Sequence, residues 1–236
     1  MKNYQGKLFS ILGDSISTFE GVTPEGYNVF YTAARKCEAN VITVEETWWG
    51  RVIAELGGEL LANDSWSGSL VCKHPQCEIE SYGASDARTA ALGKEGKTPD
   101  VVMVYIGTND WGWNMTINPK PGREEDLSVF RVAYNAMLRK IRKNYPAAEI
   151  WCFTPAVSDS MRDFEFTLPF VSGKRASMVE YCRAICDCAR ENGCRIINLY
   201  QPAHAYATID DLHPDRRGMK TIAEMVLRQL EAPEQA

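Results

Sequence analysis

The segment from Val101 to Ile106 reads VVMVYI. An apolar run this short, rich in β-branched side chains and closed by Gly107, suits a strand that is covered on both faces, as in the interior of a parallel sheet. Four further runs have the same character: Lys7 to Leu12, Glu59 to Ala62, Glu149 to Phe153 and Arg195 to Leu199. Between them the apolar residues take helical spacing. Trp48, Val52, Ile53 and Leu56 lead to a Gly57-Gly58 stop. Leu127, Phe130, Tyr134, Met137, Leu138, Ile141 and Tyr145 form a long stripe that Pro146 ends. Met178, Cys182, Ile185, Cys186 and Ala189 run up to Gly193, and Met219, Ile222, Ala223, Val226 and Leu230 follow Pro214, a residue favoured at helix starts. Strand and helix in alternation predict an α/β fold, a five-stranded parallel sheet with helices on both faces.

The 236 residues are 45% hydrophobic and 24% charged, which excludes a disordered chain. We expect one domain over 1–236, large enough to hold a core without disulfides or a structural metal. Two stretches break the alternation, about 19–45 and 155–174. Both follow strands, so they read as loop inserts at the sheet edge where open parallel sheets place their sites. A net charge of -5 with scattered Lys and Arg argues against a nucleic-acid partner. No stretch has the apolar length of a membrane span. The first apolar run meets Gly13 and Asp14 at once and reads as a strand, not as a signal region, so a cytoplasmic location is expected. In that setting the eight cysteines, four of them crowded between Cys182 and Cys194, read as reduced thiols packed as small apolar side chains. Cys72, His74 and Cys77 only loosely approximate zinc-ligand spacing, and no metal is expected. Gly96-Lys97-Thr98 lacks the earlier glycine of a phosphate loop and precedes a strand instead of following one. No cofactor is implied, and oligomeric state is left open.

Residues able to carry a reaction gather just past strand ends. After the first strand comes Gly13-Asp14-Ser15, which can hold a serine exposed at the sheet edge near backbone N–H groups, though the tripeptide also reads as a turn and helix cap. After the second comes Asn63-Asp64-Ser65-Trp66-Ser67-Gly68, with a glycine whose N–H can approach a ligand closely. The third ends in Gly107-Thr108-Asn109-Asp110, where the Asn109 amide could meet a developing oxyanion or simply close an Asx turn. After the last strand, Asp210 stands three residues before His213, close enough to bond one imidazole nitrogen and leave the other free as a base. Nucleophile, base, orienting acid and oxyanion donors on one edge are the parts needed for acyl transfer. No G-x-S-x-G elbow is present, which counts against an α/β-hydrolase.

From Gly13 to His213 these blocks, in this order, resemble the SGNH, or GDSL-type, hydrolase superfamily. The resemblance implies a flavodoxin-like three-layer α/β/α sandwich with strand order 2-1-3-4-5. It implies Ser15 as nucleophile, His213 as base and Asp210 as its partner, and an oxyanion hole of the Ser15 N–H, Gly68 and Asn109. Ile16 stands where the name motif has leucine, and Asp211 competes with Asp210 for the acid's role, though the three-residue spacing to His213 favours Asp210.

The implied activity is a serine esterase working through an acyl-enzyme. For the substrate, Trp66, Trp111 and Trp113 are candidate binding residues, the last two read as lying in a loop beside Gly112. Trp48 and Trp49 fall on a helical stripe, where at least one should be core. Flat aromatic faces suit sugar rings as well as acyl chains. Many members of the superfamily the chain resembles remove short acyl groups from sugars, so the resemblance implies a short acyl, chiefly acetyl, ester of a carbohydrate as the expected substrate. A lysophospholipase, a general short-chain esterase or thioesterase, and a carbohydrate-binding domain without catalysis are the alternatives.

Overall fold

In the computed structural model, residues 3–75, 80–161 and 176–231 are described. Five strands form the sheet: β1 (Leu8–Gly13), β2 (Glu59–Ser65), β3 (Val101–Tyr105), β4 (Glu149–Phe153) and β5 (Arg195–Ile197). All neighbours are parallel, in the order β2-β1-β3-β4-β5. The chain therefore steps from β1 outward to β2 and then crosses back over β1 to begin β3. Loops leaving β1 and β3 part to opposite faces there, which opens a crevice beyond the carboxyl ends. Register sets the level: Gly13 pairs with Ser65 on one side and Tyr105 on the other. The residues that follow these three strands consequently emerge side by side.

Seven helices accompany the strands among the described residues: α1 (Ala33–Ala39), α2 (Trp48–Glu55), α3 (Asp86–Ala90), α4 (Thr108–Gly112), α5 (Phe130–Asn144), α6 (Met178–Glu191) and α7 (Arg216–Glu231). The pleat of β3 explains its unbroken apolar run. Val102 and Val104 join Leu12, Ile150 and Cys152 against Phe130, Tyr134, Leu138 and Ile141 of α5 and Tyr181 and Ile185 of α6. Val101, Met103 and Tyr105 face the other way, with Phe9, Ile11, Trp151 and Phe153, onto α2 and α7. Each such apolar side chain taken from water contributes about 1.5–3 kcal/mol, so both faces must be covered.

Three features depart from the expectations. β2 runs on through Asn63, Asp64 and Ser65, all buried. These polar residues remain in the strand because two of them are paired: the Asn63 amide donates to the Ser17 carbonyl at 2.9 Å, and Asp64 bonds Arg88. The 19–45 insert contains α1, whose only buried residue is Ala39, so it has no apolar stripe to reveal it. α3 and α4 are too short for periodicity to show. Residues 162–175, most of the second expected insert, and Cys77 lie outside the described residues. Among the described residues no helix is long and apolar enough to cross a membrane.

Candidate active site

β1 ends at Gly13, where a Cβ would come within 2.8 Å of Ser17 and Ser65, so only glycine lets the chain turn this close to β2. Asp14, extended at φ -107°, accepts from the Ile16 N–H at 3.1 Å and so caps the single helical turn Ser15–Ser17. Two indoles of α2 hold that turn from below: Trp48 Nε1 donates to Ser17 Oγ at 3.2 Å and Trp49 Nε1 to the Ser17 carbonyl at 3.1 Å. Both tryptophans are fully buried, so neither is available to a substrate.

At the far end of the chain, the Ile209 N–H donates to the His213 carbonyl at 3.0 Å, folding 209–213 into a tight loop. Within it Asp210 accepts from the His213 backbone N–H at 2.8 Å, and its Oδ2 lies 2.8 Å from His213 Nδ1. With Nδ1 donating to that carboxylate, Nε2 is the acceptor, and it sits 2.8 Å from Ser15 Oγ across 198 residues of sequence. Burial pushes the Asp210 carboxyl up, but the bonds from the His213 ring and backbone outweigh it and hold the group below its ordinary range, ionised. Asp211 takes a left-handed φ of 68°, and its carboxylate accepts from Ser160 Oγ at 2.5 Å, away from the imidazole. Of the two acids, Asp210 is the one that bonds the imidazole.

Several supports of His213 had no signal in the sequence. Buried Tyr206 donates to the Leu212 carbonyl at 2.7 Å and buried Tyr31 to the Pro214 carbonyl at 2.8 Å, pinning the backbone on either side. Phe30, from the 19–45 insert, stacks on the imidazole. Its N–H donates to Thr18 Oγ1 at 2.9 Å, and that hydroxyl donates to the Ser15 carbonyl at 2.9 Å, so the insert is tied to the serine turn as well.

Beside the serine, β3 passes through Gly107, whose φ of 133° suits only glycine, into α4. Asn109 stands in the first turn, nearly buried, and its Nδ2 donates to the Ser69 carbonyl at 3.0 Å. Gly68, exposed at φ 81° with open space where a Cβ would lie, directly precedes Ser69. The Trp66 N–H donates to the Gly13 carbonyl at 3.1 Å. The loop bearing Gly68 is thus anchored to β1 at one end and to Asn109 at the other. Asp110 adds a second tie by accepting from the Val71 and Cys72 N–H groups at 2.8 and 3.0 Å. Burial raises the Asp110 carboxyl to about 6 against the pull of those bonds.

The tryptophans divide. Trp66 is half-buried and packs against Tyr27 of the insert, ring centroids 4.1 Å apart and planes tilted by 34°. Trp113 is half-buried with its ring 5.0 Å from His74. Trp111, expected in a loop, belongs to α4 and is 9% exposed in the α5–α6 core. The helical turn carries its side chain inward, so it has little surface to offer a ligand. Among the described residues no group of three or more His, Cys, Asp or Glu could hold a metal.

The model of the GDSL-like lipase/acylhydrolase family matches residues 7–164. The chain belongs to this family. A GDSL-like lipase from Bacteroides uniformis is 30% identical, with a TM-score of 0.69 over 95% of each chain. One from Bacteroides ovatus is 25% identical, with a TM-score of 0.71 over 96% of this chain and 98% of that one. The fold is shared at 18% identity and a TM-score of 0.60 by a carbohydrate esterase family 2 enzyme with a carbohydrate-binding domain from Corynascus thermopiles, over 95% of this chain and 65% of that one. No protein of curated function matches. As a GDSL-like acylhydrolase the protein is an ester-hydrolysing enzyme, and the SGNH resemblance and the strand order it implied both hold.

Proposed function

We propose that the protein is a serine esterase that removes short acyl groups, chiefly acetyl, from carbohydrate, with 1–236 acting as one hydrolase unit in the cytoplasm. The observation that carries the catalytic part is the line Ser15 Oγ, His213 Nε2, His213 Nδ1, Asp210 Oδ2, with 2.8 Å at each of its two hydrogen bonds. His213 takes the Ser15 proton as Oγ attacks the ester carbonyl. The oxyanion meets the Ser15 and Gly68 N–H groups and the Asn109 amide. His213 then protonates the leaving alcohol, and in the second half it activates water to hydrolyse the acyl-enzyme. Asp210 keeps the imidazole in the tautomer that can accept, and stabilises the imidazolium that forms.

The carbohydrate part rests on the half-buried Trp66–Tyr27 pair, which adjoins Gly68, and on Trp113. Flat rings of this kind suit the C–H faces of a sugar. The fold likeness to a carbohydrate esterase of family 2 fits the same reading. Initial rates on acetylated xylo-oligosaccharides and on medium-chain 4-nitrophenyl esters test it. Faster turnover of the sugar ester is expected, with a raised KM for it alone in Trp66→Ala; faster turnover of the longer acyl chains would favour a lysophospholipase or general short-chain esterase. Ser15→Ala should lose about 10⁴-fold or more of kcat on either ester, and an unchanged rate would refute the nucleophile.

A further inference from the structure

Arg88, on α3, is fully buried. Its Nε donates to Asp64 Oδ2 at 2.5 Å, Nη1 to Ser69 Oγ at 2.9 Å and the Ser81 carbonyl at 2.5 Å, and Nη2 to the Gly13 carbonyl at 3.1 Å and the Asp64 carbonyl at 2.5 Å. A guanidinium has five N–H bonds, so every one is used. Burying a charged pair is a poor way to gain stability, since apolar residues of similar volume commonly do as well or better. The acceptors suggest what the pair does instead. One of them is the last residue of β1, another the penultimate residue of β2, and a third is the hydroxyl of the residue after Gly68.

The turn from Trp66 to Ser69 is closed by the Ser69 N–H donating to the Trp66 carbonyl at 3.0 Å. Its first residue hangs from the Gly13 carbonyl, which Arg88 also holds. Its last residue is gripped at the side chain by Arg88, while its carbonyl receives one hydrogen of the Asn109 amide. The second Asn109 hydrogen is then directed by that bond. Asp64, the counter-charge, also accepts from Tyr27 at 3.0 Å, so the same unit reaches the aromatic pair.

We propose that Arg88 is the positioning residue of the oxyanion hole: by bonding Gly13, Asp64 and Ser69 together it sets the Gly68 N–H and the Asn109 amide at the level of Ser15. The inference rests on the reading of Gly68 and Asn109 as oxyanion donors. A lysine, with a compact charge and no planar fork, cannot hold those acceptors together.

The test is a double-mutant cycle on an acetyl ester, with thermal unfolding as a check of folding. Asn109→Ala should lose about 10²–10³-fold of kcat. Arg88→Lys should lose about 10- to 100-fold of kcat with KM within about threefold, the pattern of an interaction made in the transition state. In the Asn109→Ala background the same change should cost little more, because its effect is already spent. Ser69→Ala, which removes one acceptor and leaves Arg88 in place, should show a smaller loss with the same non-additivity, and decides the matter if Arg88→Lys does not fold. Wild-type kcat in Asn109→Ala would overturn the oxyanion reading and this proposal with it. A slow Asn109→Ala beside unaffected Arg88→Lys and Ser69→Ala, or losses that multiply in the double variants, would overturn the role of Arg88 alone.

Discussion

The ring of Phe30 lies on the imidazole of His213 with centroids 3.4 Å apart and planes 13° from parallel. Phe30 comes from the 19–45 insert, and the Arg35 guanidinium of α1 stands 5.3 Å from its centroid. The stack shields one face of the imidazole from water and limits rotation of the ring about its Cβ–Cγ bond, which keeps Nε2 aimed at Ser15. In the proposed mechanism its π face also favours the imidazolium form of His213.

Phe30→Ala is therefore expected to lower kcat about three- to tenfold, equivalent to an aromatic pair worth about 0.5–1.5 kcal/mol. Phe30→Tyr should restore most of it. Steady-state rates of the two variants on one acetyl ester check this, and wild-type kcat in Phe30→Ala would count against the stack.

Asp210 and Asp211 are adjacent acids with different fates, one on the imidazole and one on Ser160. Asp210→Asn should lose about 10²–10⁴-fold of kcat, because an amide can stabilise the wrong imidazole tautomer. Asp211→Asn should stay within about threefold of wild type, since it leaves that tautomer untouched. Similar losses in the two would remove the distinction drawn from their geometry.

The Asp14 carboxyl is raised to about 7, first by burial and further by the like charge of Asp110, against the Ile16 N–H and Arg88. Folding thus favours its protonated form. Below about pH 3 both states carry the proton; between the unfolded value of about 4 and about 7 the unfolded chain is ionised while the folded chain keeps it. The stability this group contributes is present at low pH and declines as pH rises through that window. Asp14→Asn keeps an oxygen for the Ile16 N–H and cannot titrate. Urea unfolding at pH 5 and pH 8 should show wild type losing roughly 1–3 kcal/mol more than the variant between the two conditions. Parallel pH dependence in both proteins would contradict the shift.

The residues of the proposed site could be picked out where the signal is local. Ser15, Gly68 and Asn109 each follow an apolar strand by a few residues, and Asp210 precedes His213 by the three residues that a tight loop can fold back over. Periodicity likewise announced five strands and four helices. Phe30, Tyr31, Tyr206 and Arg88 had no such signal. Their partners lie on other elements, and nothing in the spacing of an insert or a one-turn helix points to them. Trp111 misled because α4 is too short to have a period, so its inward direction was invisible.

By itself, then, the sequence determined the alternation of elements, the sheet they build and which reactive side chains stand at its carboxyl edge, because these depend on residues within one or two turns of each other. Only the tertiary structure decided which ring covers His213, what Asp211 bonds instead and what grips the Gly68 turn. Those choices depend on strand register and on packing between segments up to 198 residues apart, and side-chain periodicity carries no record of either.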